Sequence, residues 1–294
     1  MDVATVLSGR TRLTAIFGDP VDHSLSPAMH NAAYNALGVE RAYVAFHVTP
    51  DGLVRAIRSI PALGILGVNL TVPHKGAAVR LMAHLSDEAR TLRAVNCVIN
   101  CSGELHGDNT DARGLELDLR ELGVMIAGRQ VIVVGAGGAA ASAILACIRL
   151  GAKTIVLCNR TAARAKSLAR RFRDYKPADA HDFAIDARPL DALLDQRTLG
   201  AAAAVINATP MGLKTAGFTQ LDYKSTDPDC VFYDLIYARE PTPFLAPAMA
   251  LGRRAVDGAG MLVNQGVLAF ELFNGFAPPP GVMRGALMSA LGRA

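Results

Sequence analysis

Short runs of hydrophobic, β-branched residues alternate along the chain with segments of helical, amphipathic spacing. This alternation is typical of an α/β fold, in which strands form a sheet and helices pack against it. Early strands are predicted at Leu13–Phe17, Tyr43–Val48, Ile65–Leu70 and Val95–Asn100. A helix should follow the first strand, with Ser26 as its N-cap, Pro27 at the first helical position and Gly38 just past its end. A further helix is expected to begin near Asp111.

A second series of the same kind begins with the buried-type strand Val131–Val134, which runs into a glycine-rich turn. The elements predicted after it are Ala139–Leu150, Thr154–Asn159, Ala162–Phe172, Val205–Asn207 and Val231–Leu235. The polar segment Asp174–Asp182 is interpreted as a loop, and the chain from Gly260 onward is helical with a proline break at 278–280. We expect one α/β domain from residues 1–111 and 258–294, and an inserted domain from residues 112–257.

Composition narrows the class of protein. Hydrophobic residues make up 51% and charged residues 19% of the 294 residues, as in a globular protein. The net charge of +4 is spread without a basic run, so no nucleic-acid partner is expected. The N-terminus has no signal-peptide pattern, and apolar stretches are far shorter than the ~20 residues of a membrane span. Five scattered cysteines favour a reducing compartment, so we expect a cytoplasmic protein without a metal site.

The glycine-rich turn has the spacing of a dinucleotide-binding motif. Gly135 permits the tight turn, Gly137 lets the backbone approach a pyrophosphate, and Ala140 allows close packing of helix and strand. The start of the following helix offers free N–H groups to phosphates. A purely structural turn is the alternative, but the strands and helix around it favour a Rossmann-type cofactor domain. The predicted contacts are Gly135, Ala136, Gly137, Gly138 and Ala139.

The end of the next strand indicates NADP. A site selective for NAD usually places an acidic residue there for the ribose 2′-hydroxyl, but this chain has Asn159, followed by Arg160, Thr161 and Arg164. Guanidinium groups form charge-assisted bonds with a 2′-phosphate. Thr161 could instead cap the next helix, and Arg164 could be an ordinary surface residue.

The first half of the chain carries polar residues in several short segments. Ser24 and Ser26 stand at a helix start, where hydroxyls and the helix dipole can hold a carboxylate, although an N-cap role alone would also explain Ser26. The other segments contain Asn69, Thr71 and Lys75, then Asn96, then Asp111.

In this order, ahead of the glycine motif, these segments resemble the shikimate dehydrogenase family. The resemblance continues through Asn207–Gly212, Asp234–Tyr237 and Gly260–Gln265, and spans roughly residues 13 to 276. It implies NADP-dependent, reversible reduction of 3-dehydroshikimate to shikimate in aromatic amino acid biosynthesis. It further implies that Ser24 and Ser26 bind the substrate carboxylate. Substrate hydroxyls would be bound by Asn69, Thr71, Asn96, Asp111 and Gln265, with Tyr237 nearby. Further residues implied to contact the cofactor are Thr209, Met211 and Gly260.

Lys75 and Asp111 match the family's catalytic pair, and the chemistry explains why such a pair is needed. Hydride addition to a ketone builds negative charge on oxygen, so a proton donor must lie within hydrogen-bond reach. A lysine ammonium held beside a carboxylate can donate that proton and take it back. The alternatives are a surface lysine for Lys75 and a helix cap for Asp111.

Some positions depart from the family pattern and leave other functions open. Cys97 replaces a usual Thr, Arg239 a proline, Phe273 a Trp, and Gly266 a common Ala. The alternatives are a quinate/shikimate dehydrogenase using NAD(P) and a non-catalytic NADP-binding regulatory protein. A methylenetetrahydrofolate dehydrogenase-like enzyme would not need the paired serines. The expected partner is a small-molecule substrate, and the chain is expected to be a monomer or homodimer.

Overall fold

Two six-stranded sheets organise the computed structural model, which describes residues 7–176, 181–213 and 217–293. The strands are β1 Arg12–Gly18, β2 Arg41–His47, β3 Gly67–Leu70, β4 His84–Leu85, β5 Cys97–Cys101, β6 Glu104–Asp108, β7 Gln130–Val134, β8 Thr154–Cys158, β9 Ala184–Arg188, β10 Ala202–Asn207, β11 Val231–Asp234 and β12 Arg254–Val256. The helices are α1 Ser26–Leu37, α2 Leu53–Ser59, α3 Asp87–Leu92, α4 Asp111–Glu121, α5 Gly138–Arg149, α6 Ala162–Arg171, α7 Gln196–Gly200, α8 Leu245–Ala250, α9 Ala259–Asn274 and α10 Val282–Ala290. The chain divides into two compact units, Met1–Asp111 with Val263–Ala294, and Ala112–Leu262.

The sheet of the first unit is mixed, with strand order β2-β1-β3-β5-β6-β4. Strand β1 pairs in parallel with both β2 and β3, and β5 runs antiparallel to β3 and β6. From Thr14 onward β1 is buried throughout, as expected for a parallel strand covered on both faces. One core cluster joins Phe17 and Val68 of the sheet to Ile57 of α2.

The sheet of the second unit is entirely parallel, with strand order β12-β11-β10-β7-β8-β9. Numbered within the unit and taken from β9, this is the 3-2-1-4-5-6 order of the doubly wound dinucleotide-binding fold. The strand order reverses between β7 and β10, and ligands of such sheets bind beyond the carboxyl ends of the strands at that point. The glycine turn leaves β7 at this edge, so the predicted Rossmann-type fold is confirmed.

The C-terminal helices complete the first unit. The chain of α9 passes from the second unit into the first at Val263. The ring of Phe273 covers β3, where a Cβ built on Gly67 would lie 2.1 Å from the ring carbon Cδ1. The hydroxyl of Tyr34 on α1 shares hydrogen bonds with Thr14, at 2.8 Å, and with Asn274 of α9, at 3.3 Å. No helix within the described ranges is long and apolar enough to cross a membrane.

Several local predictions were wrong or incomplete. Helix α1 has Leu25 at its N-cap position and Ser26 as its first residue, so the predicted N-cap role of Ser26 was wrong, and the apolar Leu25 side chain offers no acceptor for a capping bond. Gly38 does end this helix in the left-handed conformation. The strands β4, β6, β9 and β12 and the short helices α2, α3, α7 and α8 were not predicted. Residues 177–180 of the predicted loop lie outside the described residues.

The close approach of Phe273 to β3 gives a test of the first unit's packing. Replacing Gly67 by Ala would force a methyl group into the aromatic ring, so the free energy of unfolding should fall by about 1–3 kcal/mol in urea denaturation. Gly285→Ala is the matched control, because this exposed position in α10 has open space. A methyl group there should stabilise by up to about 1 kcal/mol. Equal effects of the two changes would contradict the packing described.

Candidate active site

An ion pair between Lys75 and Asp111 lies at the centre of the predicted site. The Lys75 Nζ atom donates to Asp111 Oδ2 at 2.6 Å, and Asn96 Nδ2 donates to Asp111 Oδ1 at 2.8 Å. The side chain of Asp111 is 13% exposed and that of Lys75 is 31% exposed. The carboxylate is therefore held from two sides, while part of the lysine side chain stays open to solvent.

The backbone around this pair is fixed by hydrogen bonds that connect β3, β5 and α4. The Lys75 carbonyl accepts a bond from Val95 N at 2.9 Å, which holds the loop after β3 against the residues before β5. Asp111 is the first residue of α4, and its backbone N–H donates to Asn109 Oδ1 at 3.0 Å. A carboxylate in the first turn of a helix is stabilised by the helix dipole. Both members of the pair therefore stand on backbone that hydrogen bonds hold in place.

A second group of polar side chains lies on β2 and β3 and at the start of α1. Tyr43 donates from its hydroxyl to Asn69 Oδ1 at 2.8 Å, and Ser26 also bonds the Tyr43 hydroxyl. Asn69 Nδ2 donates to the Asn96 carbonyl at 3.1 Å and to Cys97 Sγ at 3.2 Å. Burial raises the pKa of Tyr43 well above its usual value, so the phenol stays protonated. Sequence reasoning missed Tyr43, which is the common partner of two predicted substrate residues.

The remaining predicted substrate residues are placed as follows. Ser24 Oγ accepts from the Ser26 backbone N–H at 3.3 Å, so the two serines form one local turn. Thr71 follows β3, and its methyl group fills the space where Gly18 has no side chain. Gln265 is half-buried on α9. Tyr237 belongs to the second unit, and burial raises the pKa of its phenol.

The second unit contains a pocket of about 420 Å³ at the carboxyl edge of its sheet. Gly135 adopts φ +122°, and a Cβ there would lie 2.8 Å from the Ala208 carbonyl oxygen, so only glycine fits. Gly137 has open space on the side where a Cβ would stand, as an approaching ligand requires. Predicted residues that line the pocket are Gly135, Ala136, Gly137, Asn159, Arg160, Arg164, Thr209 and Met211. Ala208 and Pro210, of the family-like segment 207–212, also line it, and Leu190 lines it without having been predicted.

The electrostatics of this pocket suit a phosphorylated dinucleotide. Arg160 and Arg164 are exposed, and neither forms an ion pair with another described residue. Asn159 Nδ2 donates to the Thr161 carbonyl at 2.9 Å, which shapes the loop that carries Arg160. Two guanidiniums and no carboxylate line this end of the pocket, so the donor set fits a 2′-phosphate.

Four predicted cofactor residues do not line this pocket. Gly138 and Ala139 begin α5 directly behind the glycine turn, where N–H groups point out of the helix start. Thr161 occupies the N-cap position of α6, but its side chain makes no capping bond. Gly260 packs against Asp118, whose Oδ1 would lie 1.9 Å from a Cβ at that position. Gly260 therefore has a packing role in this structure.

A buried carboxylate supports the pocket wall from behind. Asp234 Oδ1 accepts from Asn207 Nδ2 at 2.9 Å, and Asp234 Oδ2 accepts from the Thr242 hydroxyl at 2.6 Å. Asn207 Oδ1 in turn accepts from the Thr209 backbone N–H at 3.0 Å and from its hydroxyl at 2.7 Å. Burial raises the pKa of Asp234 from 3.8 to about 6. This chain of bonds fixes the loop that carries Thr209 and Met211.

Comparisons with known proteins agree with this geometry. Three family models match the chain. Residues 16–98 match the shikimate dehydrogenase substrate binding domain, and residues 116–195 match the shikimate/quinate 5-dehydrogenase family. Residues 258–288 match the shikimate 5′-dehydrogenase C-terminal domain. Shikimate dehydrogenase (NADP(+)) of Geobacter metallireducens is 41% identical, over 98% of this chain and 99% of its own.

Two solved structures have a similar fold over nearly the whole chain. Shikimate 5-dehydrogenase from Thermus thermophilus, in complex with NADP(H) and shikimate, is 34% identical with a TM-score of 0.82, covering 95% of this chain and 100% of its own. Quinate dehydrogenase from Corynebacterium glutamicum, in complex with NAD, is 29% identical with a TM-score of 0.85. The match covers 95% of this chain and 99% of the quinate dehydrogenase chain.

The fold and the site define a two-domain, NADP-dependent oxidoreductase. Within that class, the chain belongs to the shikimate dehydrogenase family.

The raised pKa of Asp234 predicts a pH dependence of stability. The folded protein holds the Asp234 proton more tightly than the unfolded chain does. The protonated carboxyl therefore contributes fully to stability below pH 3.8, and this contribution is lost as the pH rises through about 6. Relative to an Asp234→Asn variant, the unfolding free energy of the wild type should fall by about 2 kcal/mol between pH 4 and pH 7. Urea denaturation across this range measures the difference.

Asp229→Asn supplies the control, because it makes the same substitution at an exposed position of the same unit. If the unfolding free energy of the Asp234→Asn variant changed with pH in parallel with that of the wild type, the pKa of the buried carboxyl would not be raised.

Proposed function

We propose that this protein is an NADP-dependent shikimate dehydrogenase, which reduces 3-dehydroshikimate reversibly to shikimate in aromatic amino acid biosynthesis. The Lys75–Asp111 pair carries this proposal, because it places a charged proton donor in a partly open site. The Geobacter metallireducens relative, named for the same activity, supports it over nearly the whole chain.

The proposed mechanism assigns the proton to Lys75. When bound, NADPH supplies a hydride to the carbonyl carbon of the substrate. The Lys75 ammonium donates a proton to the carbonyl oxygen and becomes the neutral amine, and in the reverse direction that neutral amine takes the proton from the hydroxyl. Asp111 stabilises the ammonium and fixes its position, and Asn96 holds the Asp111 carboxylate in one orientation.

We assign substrate binding to the polar groups around this pair. Ser24 and Ser26 bind the carboxylate through their hydroxyls, and their adjacent placement at the start of α1 supports this role. We assign the ring hydroxyls to the other polar side chains that the family resemblance indicates. The proposed set is Asn69, Thr71, Asn96, Asp111, Tyr237 and Gln265.

We assign the cofactor to the pocket of the second unit. Its glycine turn and the start of α5 provide backbone N–H groups for the pyrophosphate, and Arg160 and Arg164 pair with the 2′-phosphate. Accordingly, residues 112–257 form the NADP-binding domain, and residues 1–111 and 258–294 form the substrate domain. We further propose a cytoplasmic location, which suits the free thiols of all five cysteines, and a monomeric or homodimeric enzyme.

The direct test follows cofactor reduction with shikimate, with quinate and with no acid, each with NADP and with NAD. Turnover of shikimate with NADP is expected to exceed every other combination. Preferred turnover of quinate would instead assign the chain to the activity for which the Corynebacterium glutamicum neighbour is named. NADP binding without any turnover would replace the proposal with a regulatory, non-catalytic role.

Replacing Lys75 by Ala removes the proposed proton donor. The kcat for shikimate should fall by about 10²–10⁴-fold, while KM changes comparatively little, because the lost interaction acts in the transition state. Steady-state kinetics measures both constants. Lys153→Ala is the control, since Lys153 is an exposed lysine of the second unit and should not alter kcat. A Lys75→Ala enzyme with near-normal kcat would refute the role of Lys75.

Replacing Arg160 by Ala tests the cofactor assignment. Loss of a charge-assisted bond to phosphate should raise the KM for NADP by about 10–100-fold and leave the KM for NAD nearly unchanged. Arg170→Ala is the matched control, because Arg170 is exposed on α6 but does not line the pocket. An equal loss for both cofactors would contradict recognition of the 2′-phosphate.

A further inference from the structure

Three potential metal ligands meet at the outer edge of the first unit's sheet, and the proposed reaction uses none of them. His84 lies on the edge strand β4 and is the register partner of His106 on β6. Glu104 stands two residues before His106 on the same strand, so the two side chains leave the same face of the sheet. Strand pairing therefore brings His84 beside a Glu-x-His pair that is distant from it in sequence.

The separations of the ligand atoms match a metal site. The His84 Nε2 atom lies 3.5 Å and the His106 Nε2 atom 3.4 Å from Glu104 Oε2. Zinc bonds nitrogen and oxygen at about 2.0–2.2 Å, so ligand atoms around a tetrahedral zinc ion lie about 3.3–3.5 Å apart. One ligand atom from each residue falls within 4.8 Å of the other two. Only a small approach of the two imidazoles is needed to close the site.

We propose that His84, Glu104 and His106 form a binding site for a divalent transition-metal ion of the Zn²⁺ type. Two imidazoles and one carboxylate provide three ligands, and water completes the tetrahedron on the exposed side. Imidazole nitrogen favours zinc, copper or nickel over magnesium and calcium, which prefer oxygen ligands. Among the described residues, these three are the histidine and carboxylate side chains whose ligand atoms lie close enough together to share one ion.

The position of the site defines its effect on the fold. Strand β4 has two residues and pairs with β6 alone. A metal ion that bridges the two strands fastens this short edge strand to the sheet. The chain before β4 leads back to Lys75, and the chain after β6 leads to Asp111, so the ion links the two segments that carry the ion pair. Because it binds the folded protein, zinc should stabilise it.

Exposed thiols also bind zinc, so the experiment uses the full-length protein with Cys101→Ser. Cys101 is exposed and is the register partner of Glu104, which makes it the thiol to remove. The chelator-treated protein is titrated with Zn²⁺ alone by isothermal calorimetry. One ion per chain is expected, and the melting temperature should rise by a few degrees in zinc but not in Mg²⁺.

Variants of the cluster separate this site from adventitious binding. His84→Ala, Glu104→Gln and His106→Ala should each weaken zinc binding at least tenfold and abolish the shift in melting temperature. The matched control is His47→Ala, because His47 is an exposed histidine paired with a carboxylate, Asp19, at 2.6 Å. This control should bind zinc like the parent protein. All the cluster positions are exposed or half-buried, so circular dichroism should show these variants folded.

Absence of stoichiometric zinc binding by the parent protein would overturn the proposal. Equal affinity of the three cluster variants and the parent would overturn it as well, because the ion would then lie elsewhere.

Discussion

The buried amide side chain of Asn96 connects the segments on which the candidate active site depends. Its Oδ1 atom accepts the Thr110 backbone N–H at 2.8 Å, which identifies that atom as the oxygen, because a backbone N–H can only donate. Its Nδ2 atom therefore faces the Thr110 hydroxyl at 3.0 Å and Asp111 Oδ1 at 2.8 Å. The backbone of Asn96 also pairs with Leu70 and Asp108. One residue thus links β3 and β6 through its backbone and the start of α4 through its side chain, and an isosteric Asp carboxylate could not donate in the same way.

The fold was largely predictable where the chain is buried on both faces. Parallel strands in a core are almost continuously apolar, so strands were predicted at Val131–Val134 and Leu13–Phe17. Both segments lie inside observed strands. The missed strands have mixed composition: Glu104–Asp108 is largely polar and belongs to a hairpin, and Ala184–Arg188 lies at the edge of its sheet. Such strands are specified by their neighbours rather than by their own pattern.

Part of the candidate site could be predicted from the chemistry of its residues rather than from hydrophobic patterning. Lys75 and Asp111 are in contact, as the chemistry of a proton donor beside a carboxylate required, and the glycine turn opens into a pocket. Asp234 and Tyr43 were not predicted as supports, because each acts through a hydrogen bond formed across strands. The N-cap of α1 was misplaced by one residue, because the exact end of a helix is the part that a local sequence pattern defines least.

The division of the first unit between the two ends of the chain has a consequence for biosynthesis on the ribosome. The early segment Met1–Asp111 leaves the ribosome before the helices that cover Gly67 and Tyr34 have been synthesised. At about 5–20 residues per second, translation of the inserted unit takes roughly 8–30 s. During that interval β3 lacks the ring of Phe273, and its apolar face is exposed. The continuous inserted unit can complete its own core first, so the nascent chain acquires its dinucleotide fold before its N-terminal half is closed.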